Sequence, residues 1–208
     1  MNGDLFGDAD LPSVSVIDAG LDITYWISLL NEIDANTFLS SLLSETEWQQ
    51  LEIWMYGRLV KTPRLTAWHG DENAIYKYSG ILNKPKPWSP VLLELKSLVE
   101  SATAQKYNSV LLNLYRNGND HLSWHRDNET ELGSEPNIAS LSLGATRTFS
   151  LRTNSADAKK EQYDWALTNG SLICMRGKTQ LLWQHSIKKE PKVVDPRINL
   201  TFRRVSPS

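Results

Sequence analysis

The stretch "RINLTFRRV", Arg197 to Val205, alternates by residue type. In an extended strand, residues two apart project to the same face. Ile198, Leu200 and Phe202 therefore share one face, and Arg197, Asn199, Thr201 and Arg203 share the other. The apolar face packs. If the polar face also points inward, it carries two guanidinium groups whose unpaired burial would cost several kcal/mol each. Something anionic should then meet them. At about 3.3 Å per residue the two arginine backbones stand roughly 20 Å apart, so two long side chains leaning inward could hold the ends of a small dicarboxylate. The alternative is a ring of the protein's own carboxylates on a solvated face.

Working outward, the same strand-like grain recurs in "YNSVLLNLY" (107–115), "IASLSLG" (138–144), "RTFSLR" (147–152), "GSLICMRG" (170–177) and "QLLWQHSI" (180–187). Short runs at this spacing predict a sandwich, barrel or jelly roll. Two polar stretches, "NETELGSEPN" (128–137) and "RTNSADAKKEQYD" (152–164), read as exposed loops. Helices come earlier. "DANTFLSSLLSETEWQQL" (34–51) places Phe38, Leu42, Leu43, Trp48 and Leu51 at helical spacing. In "WSPVLLELKSLVESATAQ" (88–105), Ser89 can cap, Pro90 suits the first turn, and Val91, Leu92, Leu95, Leu98 and Val99 form one stripe. The segment 53 to 81 is less regular and alternates basic with aromatic residues. The fold class is mainly β with flanking helices, in an α+β arrangement.

With 208 residues and 40% hydrophobic content, the chain fits a single domain with a substantial core. Its 22 Lys and Arg against 24 Asp and Glu argue against a protein held to nucleic acid mainly by bulk charge. Cys174 is the only cysteine, and "MNGDLFGDADLPS" lacks the features of a secretory signal. No apolar run approaches the roughly 20 residues of a membrane helix. A soluble, cytoplasmic, reducing address and a monomer are expected.

Within "YRNGNDHLSWHRDNE" (115–129), His125 and Asp127 are two apart and on a strand could grip one ion together. A third ligand must come from His69, His121 or His185. His69 stands in a Gly-flanked stretch and reads as a surface loop residue. His121 shares strand parity with His125 but suits a structural role as readily as ligation. His185 lies in a run apolar enough to be a buried strand, where a lone histidine is usually a hydrogen-bonded core residue. The alternation at 197–203 favours it, and Asn113 and Tyr115 share a face that can donate to a carboxylate. Two histidines, a carboxylate and a dicarboxylate site describe the facial triad of a non-haem Fe(II) oxygenase.

These residues resemble the AlkB family of Fe(II)- and 2-oxoglutarate-dependent dioxygenases over about residues 53 to 205. The family order N-x-Y, H-x-D, H, R-x-N-x-T-F-R is met at Asn113/Tyr115, His125/Asp127, His185 and Arg197 to Arg203. "YGRLVKTPR", "YKYSG", "PKPWSPVL" and "HRDNETEL" look most like the branch acting on duplex DNA. The resemblance implies a double-stranded β-helix, or jelly roll, at 106–205. It also implies a nucleotide-recognition lid with its supporting helix at 53–105, and an N-terminal extension and helix at 1–52. Fe(II) would be held by His125, Asp127 and His185, which also form the catalytic set. The co-substrate 2-oxoglutarate would lie against Asn113, Tyr115, Arg197, Asn199, Thr201 and Arg203, and O2 would complete the reaction. The substrate implied is alkylated DNA, duplex or single-stranded, or RNA, carrying lesions of the 1-methyladenine or 3-methylcytosine type.

The same resemblance puts a flipped base between Tyr78 and His125 with Tyr76 nearby, and makes Tyr56, beside Gly57, a wedge for the vacated stack. Arg58 and Arg64 would meet the backbone, and Asn128 and Glu129 would border the base. The duplex-acting branch has Asp where this chain has Asn128, so the amide changes what the pocket can donate and accept. Two other activities fit the sequence: an oxygenase acting on modified RNA or on a protein side chain, and an inactive β-helix that binds nucleic acid.

Overall fold

The computed structural model describes residues 13–55, 57–78, 81–154 and 161–206. Strands β1 (Ser13–Asp18) and β2 (Leu21–Trp26) pair, and helix α1 (Glu32–Glu45) follows. Two short antiparallel pairs, β3 (Glu52–Met55) with β4 (Arg58–Lys61) and β6 (Tyr76–Tyr78) with β7 (Ile81–Asn83), flank β5 (Leu65–Gly70). Helix α2 (Pro90–Thr103) leads into β8 (Ser109–Tyr115) and β9 (Leu122–His125). Then come β10 (Ile138–Gly144), β11 (Arg147–Thr153), β12 (Gln162–Leu167) and β13 (Leu172–Met175). The one-turn helix α3 (Thr179–Leu182), β14 (Trp183–Ile187) and β15 (Arg197–Arg203) complete the order. No described helix is long and apolar enough to cross a membrane.

Seven strands make the larger sheet, in the order β1-β2-β13-β10-β15-β8-β5, and four make the smaller, β12-β11-β14-β9. The pairs within both are antiparallel. Apolar residues of both sheets meet in one cluster: Leu21, Ile23, Tyr115, Ile173 and Met175 against Phe149, Leu151 and Ile187. Two sheets face to face around a shared interior are a jelly roll. A second cluster lies on the outer face of the larger sheet, where Leu112, Leu141, Ile198, Leu200 and Phe202 pack beneath α1 and α2. The sheet at β15 is thus buried on both sides. Its apolar face meets the helices, and its polar face looks into the jelly roll.

Helix α2 is built as its sequence predicts: Ser89 Oγ accepts from Leu92 N–H, Pro90 opens the first turn, and Leu92, Leu95 and Val99 are buried. Each such side chain contributes roughly 1.5–3 kcal/mol by leaving water. Helix α1 departs from expectation. Asn31 caps it, accepting from Asp34 N–H, and it ends at Glu45, so Trp48 and Leu51 lie outside it. The chain is already extended at Thr46, and Gln49 bridges to Thr66 of β5.

Four further stretches differ. Residues 13–26, expected as an extension, supply two strands of the larger sheet, because β2 pairs with β13. β5, within the expected lid, pairs with β8. The stretch 152–164, expected as loop, contains the start of β12, whose Tyr163 and Trp165 turn inward while Gln162 and Asp164 face solvent. That alternation was present in "QYDWAL" but follows a charged run. Finally, "QLLWQHSI" begins as α3 and becomes strand only at Trp183.

At one end of the jelly roll the loop after β8 is clamped to the loop before β15. Gly118 N–H donates to Val193 O at 2.7 Å and Glu190 N–H donates to Gly118 O at 2.8 Å. A Cβ on Gly118 would stand 1.8 Å from Glu190 O, so only glycine fits. Gly118→Ala should cost about 1–3 kcal/mol through overpacking. That lowers the melting temperature by roughly 2–12 °C for a chain of this size, which calorimetry would read. An unchanged melt would mean the two loops separate without cost.

Candidate metal centre

β9 and β14 are neighbours, and His125 stands directly opposite His185 in the register. Cross-strand residues share a face, and the two imidazole centroids are 4.1 Å apart. The pairing shifts between His185 and Ile187, an irregularity of the kind that re-aims side chains beside active sites. Asp127 lies beyond the end of β9 rather than on it, and its N–H donates to Gln180 Oε1 at 3.0 Å. The expected strand geometry for this pair is therefore replaced by a turn pinned from α3. Ligand atoms of His125, Asp127 and His185 lie within 4.8 Å of one another.

The protonation states suit a cation. His125 Nδ1 is 2.9 Å from Ser123 O. A carbonyl only accepts, so Nδ1 carries the proton and Nε2 is the ring nitrogen turned toward Asp127 Oδ1, 3.8 Å away. Asp127 Oδ2 accepts from Arg203 Nη2 at 2.8 Å, which leaves Oδ1 for a metal. Burial alone would raise the Asp127 pKa, but Arg203, His185 and His125 outweigh it and hold the carboxyl well below its ordinary range. Burial, with the neighbouring charges of His125 and Arg203, pushes His185 down to about 3. It is a neutral imidazole at physiological pH, the form that ligates.

This has a sign for stability. His185 has an ordinary pKa of 6.5 when unfolded and about 3 when folded. As pH falls, the unfolded chain takes up its proton first, so the metal-free protein loses stability between about pH 6.5 and 3. Asp127, also held low, adds to the loss at the acidic end of that range. The melting temperature of chelator-treated protein should fall steadily from pH 7 to pH 4, with a shallower slope in His185→Ala. Equal slopes would show that other groups carry the acid sensitivity.

Arg197 begins the same strand that ends at Arg203, and it is 1% exposed. Its Nη2 donates to Ser142 Oγ at 2.9 Å, while among the described residues Nε and Nη1 are buried with no partner. Burial and the nearby Arg147 lower its pKa to about 10. Two orphaned guanidinium donors in the interior call for an anion. Tyr115 lies alongside, its ring 5.3 Å from the Arg197 guanidinium. Asn199 donates to Ser140 Oγ at 2.6 Å and Thr201 donates to Asn199 Oδ1 at 3.0 Å, so the middle of the polar face of β15 is hydrogen-bonded between the two arginines. Asn113 sits opposite Asn199 on β8. Arg197 and Arg203 thus share one inward face, and Arg203 joins that face to the histidine–aspartate cluster through Asp127.

Residues 22–203 match the family described as the 2OG-Fe(II) oxygenase superfamily. The chain belongs to that family. The DNA oxidative demethylase ALKBH2 of Homo sapiens is 37% identical over 194 residues, covering 89% of this chain and 74% of its own length. The alpha-ketoglutarate-dependent dioxygenase alkB homolog 3 of Homo sapiens is 42% identical over 181 residues. That match covers 84% of this chain, which spans 63% of the homolog's length. These relatives put the chain in the AlkB branch of the 2OG-Fe(II) oxygenases. A solved structure of OsALKBH1 superposes with a TM-score of 0.61 at 18% identity, covering 93% of this chain and 100% of the other, which supports the fold. Membership in this oxygenase family implies Fe(II), 2-oxoglutarate and O2. The two histidines with one free carboxylate oxygen fit the metal, and the orphaned donors of Arg197 fit the co-substrate.

The structure separates the remaining candidates. His121 precedes β9, with Nδ1 3.1 Å from Asn119 O, and is not part of the metal cluster. His69 lies on β5 rather than in a loop, with Nδ1 2.7 Å from Pro87 O, and is also outside the cluster. Gly57 has φ of +73° between β3 and β4, a conformation that favours glycine, and Arg58 is exposed beside it. Tyr56 lies outside the described residues; Tyr76 and Tyr78 are on β6, and their side chains are likewise undescribed. Asn128 is exposed, and Glu129 opens a 3₁₀ turn with Oε2 buried and without a hydrogen-bond partner among the described residues. Arg64 turns inward to Asn113.

Sequence reasoning missed three groups. Ser140 and Ser142 were legible, since "IASLSLG" alternates as "RINLTFR" does and the two strands pair. Arg147 is 1% exposed and binds Glu190, Asn117 O and Asp120 O, with its guanidinium 5.6 Å from the Tyr115 ring. Gln180, which fixes Asp127, carried no signal at all.

Proposed function

We propose that the protein demethylates N-alkylated nucleobases in DNA, of the 1-methyladenine and 3-methylcytosine type. The observation that carries this reading is the triad His125, Asp127 and His185, joined through Arg203 to the polar face that holds Arg197, whose Nε and Nη1 have no partner among the described residues. The relative named DNA oxidative demethylase supports the choice of substrate. When bound, Fe(II) with 2-oxoglutarate and O2 supplies oxidation of the N-methyl group, yielding formaldehyde, succinate and CO2. The chain's own residues do the rest. Arg197, with Tyr115 and Asn113, anchors the co-substrate in a dry interior where charge-assisted hydrogen bonds are strong. Arg203 keeps Asp127 ionised and turned so that one oxygen is free. His125 is the least buried of the triad, which makes it the ligand nearest an incoming base.

A methylated base inside a duplex must be extruded before it can reach a metal centre, and methylation that blocks pairing lowers that cost. The test is direct. The protein is incubated with Fe(II), ascorbate, 2-oxoglutarate and DNA oligonucleotides carrying 1-methyladenine or 3-methylcytosine, and products are followed by mass spectrometry. Loss of 14 mass units per lesion, roughly one CH2, with matching formaldehyde is expected. Turnover of methylated RNA alone would redirect the substrate to RNA, and succinate formation without any oligonucleotide product would sink nucleobase repair.

A further inference from the structure

Arg64 connects the β3–β4 pair to β5, yet its side chain is half-buried and Nε donates to Asn113 Oδ1 at 2.8 Å. Its backbone is held on both sides. Thr62 Oγ1 lies 3.1 Å from Leu51 O and 3.2 Å from Arg64 O, and His121 N–H donates to Pro63 O at 3.0 Å. Asn113 is 3% exposed, opposite Asn199 on one neighbouring strand and Thr66 on the other. It therefore stands on the inward face that carries the co-substrate residues.

A guanidinium only donates, and an amide has one accepting oxygen and one donating NH2. The Arg64 contact therefore decides which way the Asn113 amide faces. With Oδ1 committed to Arg64, the NH2 is left for an acceptor inside the pocket. Without Arg64 the amide could turn either way, and in the wrong orientation it would present an oxygen to a carboxylate. We propose that Arg64 is a positioning residue for 2-oxoglutarate, orienting Asn113 as a donor, rather than a cation that meets the nucleic-acid backbone. The inference rests on the co-substrate assignment above. It gives the segment next to the β3–β4 pair a direct mechanical link to the pocket.

The test is a double-mutant cycle read by binding. 2-Oxoglutarate is titrated anaerobically into Fe(II)-loaded wild type, Arg64→Met, Asn113→Ala and the double variant. Affinity for a methylated oligonucleotide is measured over a range of salt concentrations. Arg64→Met should weaken 2-oxoglutarate binding about twofold to tenfold, the range of one hydrogen bond. It should add nothing once Asn113 is Ala, and should leave the oligonucleotide affinity and its salt slope unchanged. Arg64→Lys, which keeps charge and one donor, should fall between, and it carries the comparison if Arg64→Met fails to fold. Unchanged 2-oxoglutarate affinity with weaker, less salt-sensitive oligonucleotide binding would overturn the proposal in favour of a phosphate contact. Full additivity with Asn113→Ala would also overturn it. A wild type that binds no 2-oxoglutarate would instead remove the co-substrate assignment itself.

Discussion

His185→Ala is expected to abolish demethylation, with formaldehyde release falling by well over 100-fold. Loss of only an outer hydrogen-bond partner of a metal ligand costs roughly 10–100-fold, and this change removes a ligand. His125→Ala should do the same. Asp127→Ala should be worse for the fold as well, because Arg203 Nη2 would lose the carboxylate it donates to at 2.8 Å. Breaking a buried ion pair by removing one partner typically costs about 3–5 kcal/mol. The comparison is therefore of three variants by formaldehyde release, Fe(II) affinity and melting temperature. The histidine variants should melt near the wild type without metal, and Asp127→Ala should melt lower. Near-normal turnover by His185→Ala would remove it from the ligand set and reopen His69 and His121.

Arg197→Met should move function and stability in opposite directions. Its Nε and Nη1 have no described partner, and burial has already lowered its pKa to about 10. A buried charge without full compensation burdens the fold, and replacing it by an apolar side chain of similar length is neutral or stabilising. The co-substrate-free variant should thus melt at or above the wild-type temperature. Binding of 2-oxoglutarate should collapse, since charge-assisted hydrogen bonds are worth about 1.5–3 kcal/mol each, or roughly tenfold to more than a hundredfold in affinity. Arg197→Lys should lie between, because Lys retains charge but not the planar pair of donors. A variant that melts lower and still binds 2-oxoglutarate normally would show that Arg197 serves the fold and not the co-substrate.

Local order accounts for what could be read directly. Alternation marked β15, β10 and β8, and Ser89-Pro90 with its apolar stripe marked α2, because period and capping depend only on neighbours along the chain. The stop at Glu45 was not legible, since Trp48 and Leu51 continue the helical period while Gln49 is drawn to Thr66 on a distant strand. β12 was masked by the charged residues before it, and α3 by an apolar run that fits helix and strand equally.

The sequence by itself determined the residue types available for chemistry: three metal-ligating side chains in H-x-D and H, and a strand with two arginines on its polar face. It also determined that β15 has one face that must pack. Only the tertiary structure decided that the other face packs too, by closing a second sheet over it, so that Arg197 is buried with donors unspent. It likewise brought His185, and not His69 or His121, beside His125 and Asp127, through the antiparallel register of β9 and β14. Pairing between strands 60 residues apart depends on which edges and faces remain unsatisfied across the whole chain. No local window of sequence contains that information.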